Sequence, residues 1–154
     1  MLGLLKSTMP KENILTIKKL DQESLDISFL ETINSFRPIS LTIEDAIEIL
    51  SDMPTNTSVY TARIDGTVVA CGTIMIEQKF IHNGGKVAHL EDIAVQYGFR
   101  GLGYGKFMVE HLLGLAKEAG CYKAILNCDE AVEDFYTKIG FKKCANQMRI
   151  NLGD

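Results

Sequence analysis

The sequence predicts an α/β fold: a single domain built on one mixed sheet, with helices on both faces. Three observations carry that expectation. Thr67 to Ile76 (TVVACGTIMI) is apolar almost throughout, as a strand covered on both faces of a sheet must be. Leu90 to Gly105 passes from a strand-like run, through Arg100-Gly101-Leu102-Gly103-Tyr104-Gly105, into a helix-forming stretch from Lys106 to Ala119. Strand-like and helix-like segments follow one another in the order β-α-α-β-β-β-α-β-α-β. The 154 residues amount to one domain, 1–154, with no internal repeat, linker or low-complexity tract.

Each element has its own signal. Residues 1–12 read as a loose tail. Ile14 to Leu20 alternates as a first strand, and Asp21 to Phe36 carries apolar residues at 25, 29, 30 and 33, spaced for one helical face. Arg37-Pro38 ends that helix, because the residue before proline is pushed out of the helical region. Thr42-Ile43-Glu44-Asp45 is a capping signal for a second helix with the stripe Ile43, Ala46, Ile47 and Leu50. Ser58 to Ile64 is a strand closed by an Asp65-Gly66 hairpin turn onto Thr67–Ile76. His82-Asn83-Gly84-Gly85 turns the chain back into a strand from Lys86 to Val95. Beyond the long helix, Gly120 is placed to cap it. Ala124-Ile125-Leu126 is then a buried strand, Asp129 a cap for a helix Ala131 to Ile139, and Phe141 to Ile150 the last strand.

Composition narrows the function classes. The chain is 46% apolar and 23% charged, with a net charge of −4 and no basic cluster, which excludes a nucleic-acid partner. The cysteines at 71, 121, 128 and 144 lack CxxC spacing and read as buried reduced thiols, which implies a reducing compartment. No His–Cys pair has ligand spacing, so no metal is expected. Met1 to Leu5 is too short for a signal or a span, and no run reaches about 18 apolar residues, so no membrane partner is expected and the cytoplasm is the expected location.

The glycine-rich turn carries the chemistry. A turn of this kind opening a helix leaves backbone N–H groups pointing at one spot, where the helix dipole adds its field, and makes an anion site. A Walker loop is excluded because Gly105-Lys106 is followed by Phe107. The dinucleotide fingerprint is excluded because the glycines stand at 101, 103 and 105. The run does match Arg/Gln-x-x-Gly-x-Gly/Ala, and in that it resembles the acetyl-CoA pyrophosphate loop of the GNAT acetyltransferase superfamily. HLEDIAV (89–95), the loop, GCYKAILNCDE (120–130) and FYTKIGF (135–141) follow in order. That series is similar to the glucosamine-6-phosphate N-acetyltransferase family, over about residues 70–145.

The resemblance implies acetyl transfer from acetyl-CoA to the amine of D-glucosamine 6-phosphate, directly within a ternary complex, on the route to UDP-N-acetylglucosamine. It implies catalytic roles for Glu91 and Asp92, either of which can take the amine's proton, and for Tyr136 as the acid that protonates the departing thiolate. It assigns the cofactor to Ile93, Ala94 and Val95, to Arg100, Gly101, Leu102, Gly103, Tyr104, Gly105 and Lys106, and to Tyr136 and Lys138. The sugar phosphate would meet Lys79, Phe80, Ile81 and His82, with Glu91 and Asp92, then Tyr122, Lys123, Asn127 and Arg149. The Tyr122-Lys123 segment is expected to reach the site across a two-fold homodimer interface. The chain departs from the family at three points. Asn127 replaces an acidic residue, Phe36-Arg37-Pro38 occupies the region of a threonine contact, with Arg37 a candidate substitute phosphate ligand, and Arg149 is offset from a C-terminal arginine. Rival readings are an acetyltransferase for another small amine or a protein N-terminus, and an acyl-CoA-binding sensor without catalysis.

Overall fold

The computed structural model describes residues 13–153; the expected tail, 1–12, lies outside them. Five strands form one sheet in the order β1-β2-β3-β4-β5: Leu15–Lys19, Thr57–Ile64, Thr67–Gln78, Lys86–Val95 and Cys121–Ile125. The first four are antiparallel neighbours, and β5 joins β4 in parallel. Helices α1 (Ile27–Phe36) and α2 (Ile43–Asp52) cover one face, and α3 (Tyr104–Glu118) covers the other. A short α4 (Glu133–Ile139) follows a 3₁₀ turn at Glu130–Val132. The mixed α/β fold is the expected one.

Local chemistry explains the boundaries. Helix α1 starts at Ile27 and not at Asp21, because Asp21 and Ser24 bond each other in a separate turn and Asp26 is the residue that caps the helix. The Thr42–Asp45 capping box of α2 is formed in both directions. Val68, Val69, Ala70 and Cys71 of β3 are fully buried, as a strand covered on both faces requires. Ser28 and Thr32 of α1 tie that helix to the backbone of Val68 at 2.9 and 3.3 Å. The α3 face of the sheet packs Ala70, Ile74, Ala88 and Leu90 against Met108, Val109, Leu112 and Ala116.

Two expectations at the C-terminal end are corrected. Asp129 makes no side-chain cap bond to the helix after it. The expected strand Phe141–Ile150 is absent: residues 141–153 hold no regular structure and find no strand partner among the described residues. The segment still alternates like a strand, and Met148, Ile150 and Leu152 stand 90%, 80% and 94% exposed.

Candidate active site

The site begins with a fault in β4. Opposite Thr73 to Cys71 of β3, the partners on β4 run from Glu91 to Ala94, so β4 carries one extra residue. Asp92 sits at that bulge with φ +50, a left-handed conformation that aspartate tolerates better than most residues. The bulge shifts the alternation by one. Ala88 and Leu90 pack into the α3-side core before it, and Ile93 and Val95 pack against that core after it. Simple alternation would send Glu91 and Asp92 to opposite faces; with the bulge between them, both carboxylates border one cavity. Gly72 makes room for the shift, since a Cβ there would stand 2.8 Å from Ile93 Cδ1 and 2.9 Å from Leu112 Cδ1.

The second feature is a splay. Strand β4 pairs with β3 as far as Val95, but with β5 only over Lys86–His89. From Leu90 to Val95 the edge facing β5 is therefore unpaired, and it opens onto a cavity of about 760 Å³. The start of α3 forms one end of that cavity. Gly101 and Gly103 adopt φ +76 and +90, and Gly103 is the helix N-cap without a side-chain donor or acceptor. The first helical amides are thus left for a ligand. Gly105 brings the helix close to its surroundings, as a Cβ there would meet Phe135 at 3.3 Å and Val95 at 3.4 Å.

Arg100 holds this end together. Its Nε donates to Val95 O at 3.1 Å, its Nη2 donates to Ser35 O at 2.8 Å, and the guanidinium lies 4.1 Å over the Tyr97 ring. Much of its donor capacity is spent on the protein itself. Tyr136 borders the opposite wall, edge-on to Phe135 at 4.9 Å and to Phe141 at 5.8 Å. Burial pushes its phenol pKa above the ordinary value, and the nearby Cys128 adds to the shift, so the phenol holds its proton more firmly than an exposed tyrosine does. Behind the bulge, burial drives the Cys71 thiol up to about 12, with the Asp92 carboxylate adding to it.

Thirteen of the expected site residues border this cavity: Glu91 to Val95, Arg100, Gly101, Gly103 to Lys106, Asn127 and Tyr136. Leu102 and Lys138 do not, and neither does Arg149 in the C-terminal segment. Lys79, Phe80, Ile81, His82, Tyr122 and Lys123 gather elsewhere, at the far end of β4 and β5. There Lys79 pairs with Glu77 at 2.6 Å, His82 stacks on Tyr122 at 4.1 Å, and Lys123 lies 5.5 Å over the same ring. Phe80 is fully exposed on its turn. The wall also includes residues without an expected role, among them Phe99, Asp129, Val132, Phe135 and Gln147. The bulge itself had a readable signal in the switch of apolar spacing from Ala88 and Leu90 to Ile93 and Val95.

A splayed parallel pair, a glycine-rich helix start between its arms and two carboxylates at a bulge can be set beside known proteins. Residues 26–141 match the acetyltransferase (GNAT) family. This chain belongs to it. GNAT-family relatives include glucosamine 6-phosphate N-acetyltransferase 1 of Dictyostelium discoideum, 34% identical over 90% of this chain and 91% of that one. The glucosamine 6-phosphate N-acetyltransferase of Candida albicans is 35% identical over 82% of this chain and 89% of its own. Among solved GNAT structures, the glucosamine-6-phosphate N-acetyltransferase of Arabidopsis thaliana superposes with a TM-score of 0.81 at 32% identity, covering 91% and 99% of the two chains.

Proposed function

We propose that this chain is a single-domain, acetyl-CoA-dependent N-acetyltransferase acting on D-glucosamine 6-phosphate. One observation carries the reading. The unpaired edge Leu90–Val95 runs between a helix start suited to a diphosphate and the pair Glu91 and Asp92, with the Tyr136 phenol also on the cavity wall. Acetyltransferases of this family use acetyl-CoA. The naming of relatives across slime mould, yeast and plant supports the sugar phosphate.

The chemistry follows from the groups present. The substrate arrives as an ammonium and must lose a proton to expose its lone pair; the carboxylate of Glu91 or Asp92 takes it, directly or through a water. The nitrogen then attacks the thioester carbonyl, and a backbone N–H of the Ile93–Val95 edge holds the forming oxyanion. As the intermediate collapses, the C–S bond breaks and the C–N bond remains, while the nitrogen sheds its second proton, to solvent or to the phenolate that donation by Tyr136 leaves behind. Tyr136, a protonated phenol whose pKa burial raises further, gives its proton to the departing sulfur. Transfer is direct, from thioester to amine in a ternary complex. Holding the two reactants in one cleft supplies a large part of the rate.

The same reading includes a homodimer with shared sites. From Glu91 to Lys86 along β4 is about 17 Å at the usual rise, so the Lys79–His82 and Tyr122–Lys123 segments stand away from their own cavity. They become sugar ligands when a second copy presents them. Support comes from the fully exposed Phe80, from the exposed alternating Met148, Ile150 and Leu152, and from the outer edge of β5, which has no partner strand among the described residues. A strand from a second copy laid along β5 covers apolar surface of this kind on both molecules.

The test is thiol release from acetyl-CoA with glucosamine 6-phosphate, glucosamine, glucose 6-phosphate and a peptide amine. Turnover confined to the amino sugars and fastest with the phosphate ester is the expected outcome. Preference for the peptide amine overturns the substrate, and the neutral Asn127 in the cavity wall, with the absent threonine contact, is the feature that would favour such a result. Binding of acetyl-CoA without thiol release from any amine overturns catalysis itself.

A further inference from the structure

The cavity wall carries three carboxylates, Glu91, Asp92 and Asp129. A phosphate monoester is close to a dianion at neutral pH, so a wall of this sign repels it unless a cation is at hand. Three cationic side chains border the same space: Arg37, Arg100 and Lys106. Arg100 is engaged with the carbonyls of Val95 and Ser35 and with the Tyr97 ring. Lys106 stands in the first turn of α3, at the end suited to the cofactor's diphosphate, and pairs with Glu110 at 3.8 Å. Arg37 is differently placed. It closes α1, its N–H bonded to Ile33 O at 3.0 Å, in the extended conformation (φ −141, ψ 136) that a following proline favours. Its guanidinium rests 4.8 Å over the Phe36 ring and 4.0 Å from Asp129 Oδ2. That separation is within Coulombic reach but longer than a hydrogen bond, and the two side chains are 68% and 85% exposed.

We propose that Arg37 is the phosphate-binding residue that each subunit supplies to its own sugar site, and that Asp129 is its resting partner, given up when the substrate's phosphate arrives. The proposal rests on the reading of the substrate as a hexosamine phosphate. It gives the substrate two opposite anchors, the amine at Glu91 and Asp92 and the phosphate at Arg37, which fix the direction in which the sugar lies in the cleft. The exposed pair is loose and screened by water, so breaking it costs little. A phosphate accepts two parallel N–H donors from the planar guanidinium, which Asp129 at this distance does not. Removing Asp129's charge therefore helps the substrate, whereas removing Arg37's hurts it.

The experiment measures steady-state constants for Arg37→Ala, Arg37→Lys and Asp129→Asn, with melting curves to show that each is folded. For Arg37→Ala the glucosamine-6-phosphate KM rises about 10- to 100-fold, as expected for a lost charge-assisted bond to phosphate. Its acetyl-CoA KM is unchanged, and so is its KM for glucosamine, which lacks the phosphate. Arg37→Lys recovers part of the loss. Asp129→Asn lowers the glucosamine-6-phosphate KM by about 2- to 5-fold and leaves glucosamine alone. An unchanged KM in Arg37→Ala, or equal losses with both sugars, overturns the proposal. So does a KM that rises in Asp129→Asn. If wild-type protein turns over no amino sugar, the proposed activity fails by itself. Calorimetric binding of glucose 6-phosphate to wild type and to Arg37→Ala then decides on Arg37, with equal or absent binding in both overturning it.

Discussion

Tyr136 shows how the packing of one side chain bears on the chemistry proposed for it. Its ring is wedged between Phe135 and Phe141, and the burial this brings raises the phenol's pKa above its ordinary value. Tyr136→Phe preserves both ring contacts, so the variant should melt as wild type does. Its kcat should fall about 100-fold with little change in either KM if the thiolate needs that proton. Because the phenol's pKa is raised, wild type should show no loss of rate from its deprotonation until pH passes the ordinary phenol range. Full-speed turnover by the variant would return Tyr136 to a purely structural role. Gly72 is the complementary case, a residue that acts by having no side chain. Gly72→Ala forces a methyl against Ile93 and Leu112 at under 3 Å, and should cost about 1–3 kcal/mol by urea denaturation as Ile93 is driven off its seat. The sequence did hold a sign of this, since a glycine inside an apolar strand marks a bulge or a close approach. Which of the two applies depends on a neighbour forty residues away, Leu112 of α3, and no local pattern contains it.

At the scale of elements, what was legible and what was not divides by the reach of the interaction. The Thr42 capping box, the Asp65-Gly66 hairpin, the glycine loop and the α3 helix it opens are set by residues within a turn of one another, and they formed as read. The switch of apolar spacing between Leu90 and Ile93 marks the bulge at Asp92, but the same run also suits an unbroken strand covered on both faces, and the choice is made by what β3 and α3 offer as partners. The start of α1 was misplaced because two aspartates, Asp21 and Asp26, both bear a capping signal. The structure selects Asp26, whose carboxylate bonds Ser28 Oγ at 2.6 Å and Arg63 Nη1 at 2.6 Å, with Arg63 also donating to the carbonyls of Ser24 and Gly66. Burial pushes the Asp26 carboxyl up, but the bonds from Ser28, Arg63 and the Phe29 N–H outweigh it and leave its pKa below the usual value. A depressed pKa of this kind stabilises the fold above the unfolded carboxylate range, and that contribution disappears as pH falls through the folded value. Asp26→Asn, which keeps a competent cap, should therefore unfold more easily than wild type at pH 7 and converge with it only at a pH below the depressed folded value of the Asp26 carboxyl. A deficit of the same size at both pH values would mean that packing, not charge, holds α1 to β2.

For the whole molecule, the last strand is the instructive failure. Phe141 to Ile150 has the alternation of a strand, yet a strand is defined by its partner, and none is available to residues 141–153 among those described. The same holds for the Lys79–His82 and Tyr122–Lys123 segments, whose sequence was readable while their position away from the cavity was not. The symmetric dimer proposed above would close both gaps, and subunit mixing tests it. Lys123→Ala and Glu91→Ala proteins, each inactive alone, should regain about a quarter of wild-type activity after random exchange, because one site of each mixed dimer then has both residues intact. No recovery, with exchange verified by mass, would mean that Lys123 serves its own subunit or none.

The splay between β4 and β5 has a further consequence for the protein before any ligand enters. Leu90–Val95 is an unpaired backbone edge set inside a cleft, a template open to any extended chain that fits. Those of its amides that point away from β3 should exchange with deuterated solvent much faster than those of Val68–Cys71 one strand away, and they should slow sharply once acetyl-CoA lies along them. The empty molecule should also be the one that associates irreversibly on warming, so that the cofactor acts as a solubility partner as well as a reactant.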